Sequence, residues 1–173
     1  HAMLEQSSDL GVVMGRLNRH IAQRSTGRFV TMWIGIITPA SDGGGGEIEF
    51  VDAGHGHWLV TNPGQDATRP AYRGGLVVGI DPGHGYRAEK LTLGADQRLV
   101  LFSDGVVEQT CPVSDEEFGL ARTGSLLRSS DSQSSDVRML MDQVVGFARS
   151  SSLKDDTTIA SIRVIPPESG NQR

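Results

Sequence analysis

"LVLFSDGVVEQT" (residues 99–110) begins as a strand and changes character at Ser103-Asp104-Gly105. Leu99 to Phe102 form a short unbroken apolar run, the length of a buried strand. The chain then delivers a carboxylate straight into a glycine and turns apolar again at Val106-Val107. A buried carboxylate without a partner is costly, so Asp104 calls for one. What that partner is depends on what the rest of the chain brings to the end of this strand.

Upstream, residues 4–24 predict a helix, with Leu10, Val13, Met14, Leu17 and Ile21 at helical spacing. "RFVTMWIGIIT" (28–38) is rich in β-branched and aromatic residues and predicts a strand. "PASDGGGG" is a turn, with Gly43 to Gly46 too flexible for anything else, and "EIEFVDA" (47–53) pairs back as a hairpin. "HWLVTN" (57–62) is a third strand, closed by Pro63-Gly64. Residues 64–98 read as irregular, holding the apolar run Leu76 to Ile80 and a brief strand at "KLTL" (90–93). "RLVLFS" (98–103) is a strand.

Downstream, residues 115–129 predict a helix, with Ser114 and Glu117 as its capping box. "SSDSQSS" is a loop, and residues 134–149 predict a second helix with Val137, Leu140, Met141, Val144, Val145 and Ala148 on one face. "TTIASIRV" (157–164) is the last strand. Strands and helices do not alternate, so an α+β fold with antiparallel sheet and packed helices fits better than a parallel doubly wound one.

Composition narrows the function. The 173 residues suit one domain, and 37% hydrophobic content supports a core. A net charge of -5 without any basic run argues against nucleic acid. Cys111 is the single cysteine, which excludes a disulfide framework and a cysteine metal site. There is no membrane-length apolar stretch and no signal peptide at the start, so a cytoplasmic protein is expected. His1-Ala2-Met3 reads as an expression scar (1–3), and residues 166–173 as a polar, frayed tail.

Asp104 ends one strand, and Asp155-Asp156 precedes the last. In an antiparallel pair the end of one strand lies beside the start of the next, so these acids are expected at one sheet edge. Carboxylates held together repel, and a cation relieves them; oxygen-only ligands favour Mg²⁺ or Mn²⁺ over zinc. Taken singly, "SDG" is an ordinary Asx turn and "DD" an ordinary solvated loop.

"FVTMWIGII", "EIEFVDAGHGHWLV", "RLVLFSDGVVEQT", "EEFGL" and "DDTTIASIRV", with a helix ending "LNRHIAQR", resemble in order and spacing the SpoIIE/RsbU-type serine phosphatases of the metal-dependent PPM (PP2C-like) superfamily. The resemblance spans about residues 4–165. It implies an αββα sandwich of antiparallel sheets flanked by helices, with two Mn²⁺ or Mg²⁺ ions at one end. Asp104 and Asp155 map onto metal ligands, and Asp156 and Gly105 onto supporting positions. The implied chemistry is in-line attack on phosphorus by a metal-bridging hydroxide, without a phospho-enzyme. The implied substrate is phosphoserine or phosphothreonine on a regulatory protein, typically an anti-anti-sigma factor in bacterial partner switching, with sensor or receiver domains upstream.

The departures set further expectations. The family's "GDVSGHG"-like element and first-strand acid do not occur here, so the N-terminal strands are expected to be missing and the chain to be a C-terminal portion with weak metal binding and little turnover. Exposed sheet edges would then favour a homodimer. "DAGHGH" matches the family's later "NAGH" element, with Asp52 in place of Asn and His55 near the site. A catalytically silent phosphatase-like binding module is the alternative.

Other candidates are weaker. His55 and His57 have the spacing of a same-face metal pair on a strand, against a reading as a glycine-rich turn whose histidines cap backbone. His84 sits alone in a loop. Arg28 before a strand is more simply solvated than phosphate-bound. Ser103 and Cys111 lack the surroundings of a nucleophile. Trp33 and Trp58 read as packing residues, and "GGLVVGID" (74–81) as a loop bordering the site.

Overall fold

The computed structural model describes residues 9–24, 27–41, 44–150 and 152–165. The expected scar, residues 4–8 of the predicted opening helix, and the expected tail from residue 166 lie outside them. The chain divides into two compact units.

The first unit is built on the sheet β1 (Met32–Pro39), β2 (Gly45–Ala53) and β5 (Glu89–Gly94), in the order β1-β2-β5. β1 and β2 are antiparallel, in register from Met32↔Ala53 to Pro39↔Gly46. Helix α1 (Leu10–Arg24) lays Leu10 and Met14 against Val51, Ala53, Val78 and Tyr86. Its start is capped by Asp9, whose Oδ1 accepts from the Gly11 and Val12 N–H groups at 2.8 and 3.1 Å. Fully buried Asn18 ties the helix to the following loop. Its Nδ2 donates to the Asp81 carbonyl at 2.7 Å, and its Oδ1 accepts from Gly79 N–H at 2.8 Å.

The second unit holds β3 (Trp58–Asn62), β4 (Gln65–Thr68), β6 (Leu99–Phe102) and β7 (Ile159–Ile162), in the order β4-β3-β6-β7. Every described pairing in it is antiparallel, and β6 meets β7 from Leu99↔Ile162 to Phe102↔Ile159. Helices α3 (Leu120–Leu127) and α4 (Gln133–Ala148) supply Leu127, Leu140 and Val144 to a core with Leu59, Val100, Phe102 and Phe118. The α+β class and the antiparallel pairing are as the sequence predicts.

Several local expectations fail for tertiary reasons. The predicted helix 115–129 exists only from Leu120. Asp115 has φ 58°, and residues 109–118 fold into a loop closed by Cys111 N–H to the Glu116 carbonyl at 2.8 Å and Phe118 N–H to the Gln109 carbonyl at 2.8 Å. The capping box is absent: Ser114 bonds the Glu116 carboxylate, and the N-cap is Gly119 without a side-chain bond. The supposed loop "SSDSQSS" contains the start of α4, where Ser132 accepts from Ser135 N–H at 3.3 Å. β4 arises within the segment expected to be irregular, because Pro63-Gly64 turns the chain back onto β3. The glycine run is not all turn: Gly45 and Gly46 belong to β2. Gly45 has φ 101°, and a Cβ there would sit 2.0 Å from the Leu93 carbonyl oxygen, so only glycine fits. No helix among the described residues is long and apolar enough to cross a membrane.

Candidate active site

The turn after β6 is a short helix, α2 (Asp104–Val107), which the sequence did not announce. Ser103 precedes it and clamps the two strand ends together. Its N–H donates to the Thr158 carbonyl at 2.9 Å, its Oγ donates to the Asp156 carbonyl at 3.0 Å, and its Oγ accepts from Thr158 N–H at 3.0 Å. Gly105 completes the clamp. It is buried, and a Cβ there would lie 2.5 Å from the Asp156 carbonyl oxygen and 3.0 Å from Thr157 Oγ1. A side chain would push the segment 155–157 away, which is why glycine follows the acid. Farther along, the Gln109 Oε1 accepts from Lys154 N–H at 3.0 Å, a second tie between the same segments.

Asp104, Asp155 and Asp156 therefore flank the Phe102↔Ile159 end of the β6–β7 pair, on segments bonded to each other. All three are exposed. Asp104 Oδ1 accepts from Gly105 N–H at 2.9 Å, and Asp155 Oδ1 from Asp156 N–H at 2.7 Å. Among the described residues these are their only side-chain bonds, so each keeps one oxygen for another partner. Carboxylate oxygens of this kind are ligands for hard cations such as Mg²⁺ or Mn²⁺. Among the described residues no group of three or more His, Cys, Asp or Glu side chains stands close enough to hold a metal by itself. Asp155 and Asp156 also line a shallow groove with Met141, Leu153, Lys154 and Thr157, which Asp104 does not reach.

Asp52 organises a turn in the first unit. It is 3% exposed at the end of β2, and its carboxylate accepts from His55 N–H at 2.7 Å and from Gly56 N–H at 3.1 Å. Gly54 and Gly56 take φ 74° and 66°. The expected glycine turn is there, and the aspartate caps it. His55 and His57 lie outside any strand, so the same-face geometry of a strand pair does not apply to them. His84 Nε2 accepts from Leu76 N–H at 3.4 Å, and its ring meets Tyr86 edge-on at 4.8 Å. The 74–81 loop pairs with the start of the first sheet through mutual Val30–Val78 bonds of 2.9 and 2.8 Å. Trp58 is buried, and Trp33 stacks on Phe50 at 5.5 Å, as packing residues do. Arg28 is exposed.

Sequence reading missed Ser103 as the clamp. The signal was available: a hydroxyl one residue past β6 faces Thr157-Thr158, one residue before β7.

The second unit is an antiparallel sheet with packed helices that carries acids at one end of its β6–β7 pair. A family model for Stage II sporulation protein E (SpoIIE) matches residues 1–165, and the chain belongs to that family. A search of curated proteins returned no match. Among solved structures, the SiaA PP2C domain of Pseudomonas aeruginosa is similar with TM-score 0.71 at 17% identity, covering 94% of this chain and 63% of that one. The RsbU and RsbW domains of a Mycobacterium tuberculosis protein give 0.70 at 22%, covering 96% and 46%. The manganese-soaked phosphatase domain of SpoIIE from Bacillus subtilis gives 0.59 at 18%, covering 95% and 70%. The fold is thus that of PP2C-type phosphatase domains, and the chain spans between about half and two thirds of the lengths of these relatives.

Proposed function

We propose that the chain is part of a metal-dependent protein serine/threonine phosphatase. Its substrate is phosphoserine or phosphothreonine on a cytoplasmic regulatory protein of the anti-anti-sigma type. The observation that carries this reading is the clamp of Ser103 and Gly105 on residues 156–158, which sets Asp104 and Asp155 at one strand-pair end. Asp104 and Asp155 would hold the divalent cation, and Asp156 would support them. Such a cation, when bound, offsets the charge of the phosphoryl group and acidifies a water. The chain's own residues do the orienting. Gly105 N–H fixes one Asp104 oxygen, Asp156 N–H fixes one Asp155 oxygen, and Ser103 locks the distance between their backbones. The sequence-derived supporting role of Gly105 is steric: it admits the Asp156 carbonyl. Asp52 and His55 belong to a turn in the other unit and shape that turn.

A Mn²⁺ titration by calorimetry tests this, on the native chain beside Asp104→Asn and Asp155→Asn. Binding to the native chain that both variants lose supports one shared cation site. Equal binding by all three refutes the assignment. A second reading is a phosphatase-like module that binds a phosphoprotein without turnover. It predicts no release of phosphate from a phosphoserine peptide with Mn²⁺ saturating.

A further inference from the structure

The β6–β7 pair that carries acids at one end carries arginines at the other. Arg98 precedes Leu99 and Arg163 follows Ile162, so both flank the Leu99↔Ile162 pair. Loops of the second unit gather there and enclose a cleft of about 390 Å³. Its walls include Arg98, Arg163, Arg128 at the end of α3, and the Ser129-Ser130 turn.

Arg98 is unusual for its burial, at 6% exposure. Its Nε and Nη2 donate to the two oxygens of fully buried Asp136 at 2.6 and 2.9 Å, and Nη2 also donates to the Ser130 carbonyl at 3.0 Å. Nη1 makes no described bond, and Arg98 lines the cleft. The carboxylate thus fixes the guanidinium plane and leaves one edge for a guest. Arg163 uses only Nε, on the Ala95 carbonyl at 3.2 Å, and Arg128 uses Nε on Asp66 at 3.0 Å. Each therefore has terminal N–H groups to spare. Guanidinium forks suit phosphoryl oxygens better than any other side chain does. Two acids, Asp96 and Asp131, also line the cleft and oppose an anion.

We propose that this cleft binds a phosphoryl group, held by Arg98, Arg128 and Arg163. The site is separate from the acids at the opposite strand ends and does not need a divalent cation.

The test is calorimetry with inorganic phosphate in EDTA at low ionic strength, which keeps a cation-dependent centre silent. Native chain should bind. Arg128→Gln and Arg163→Gln, both surface changes, should each weaken binding about tenfold, the loss of one charge-assisted contact. Asp96→Asn and Asp131→Asn should strengthen it, which a merely structural role for the arginines would not produce. Asp104→Asn should leave it unchanged, so failure here and failure of the phosphatase reading are separable. A phosphoserine peptide forms the second arm. Tighter binding than phosphate identifies a phosphoprotein as the source, and equal binding identifies the free anion; both support the site. No binding by the native chain, equal binding by the arginine variants, or loss in Asp104→Asn overturns the proposal.

Discussion

Asp136 is the residue whose removal should cost the second unit most. It has no exposure and accepts from Arg98 Nε at 2.6 Å, from Arg98 Nη2 at 2.9 Å and from Ser161 Oγ at 2.5 Å. It thereby joins α4, the residue before β6, and β7 in one network. Asp136→Ala leaves the Arg98 charge buried without its counter-ion, and breaking a buried pair on one side costs about 3–5 kcal/mol. For a chain of this size each kcal/mol moves Tm by about 2–4 °C, so the expected fall is about 6–20 °C. The double variant Arg98→Met/Asp136→Leu removes both charges and should recover most of the loss, since apolar replacement of a buried pair is often neutral or stabilising. Urea unfolding of the native chain, the single variant and the double variant measures all three. A loss under about 1 kcal/mol for Asp136→Ala, or a double variant no more stable than the single, would refute the reasoning.

Gly105→Val should destabilise by about 1–3 kcal/mol through overpacking and weaken Mn²⁺ binding, read by thermal melts and calorimetry. Gly146→Ala in α4, where an added Cβ meets nothing within 4 Å, should instead stabilise by about 0.5–1 kcal/mol in the same melts. Asp52→Ala frees the His55 and Gly56 N–H groups and should cost about 1–3 kcal/mol in urea unfolding, while Asp52→Asn, which keeps an acceptor, should cost less. Burial, aided by Asp81, raises the Tyr86 hydroxyl above its ordinary 10.0, so the native chain keeps that proton longer than the unfolded one. Stability should then fall as pH rises above about 10, and Tyr86→Phe should flatten that fall in pH-dependent melts. At pH 7 the same variant removes a buried hydroxyl that has no partner among the described residues, and should gain about 1 kcal/mol.

The strongly patterned segments were legible because burial decides them. Leu10, Met14 and Leu17 on α1, or Leu99 to Phe102 on β6, admit one placement each. The placement of Asp104 and Asp155-Asp156 at one end of a strand pair was legible for a related reason: β6 and β7 are antiparallel neighbours, and chain order alone puts those acids there. The failures fall where distant backbone decides. Residues 115–118 carry helix-compatible side chains, but their backbone N–H and carbonyl groups are claimed by Gln109 and Cys111. Gly45 looked like turn because its reason for being glycine is the Leu93 carbonyl, far away in sequence. Arg98 opens the strand-like run 98–103 and Asp136 lies in the helical run 134–149, and neither pattern pairs them. Only the fold brings them together.

The loop at residues 109–118 contains the chain's one cysteine. Cys111 is buried, and hydrogen bonds from the backbone of Val113 and Ser114 lower its thiol below the ordinary range. Those bonds belong to the closed loop, and a thiol reagent reaches the buried sulfur when the loop opens. Its rate of modification reports the free energy of that local opening, without an engineered label. Gln109, at the base of this loop, holds Lys154 beside Asp155. The same stopwatch reading, taken with and without Mn²⁺, thus registers whether the acid-bearing end of the strand pair tightens when a cation arrives.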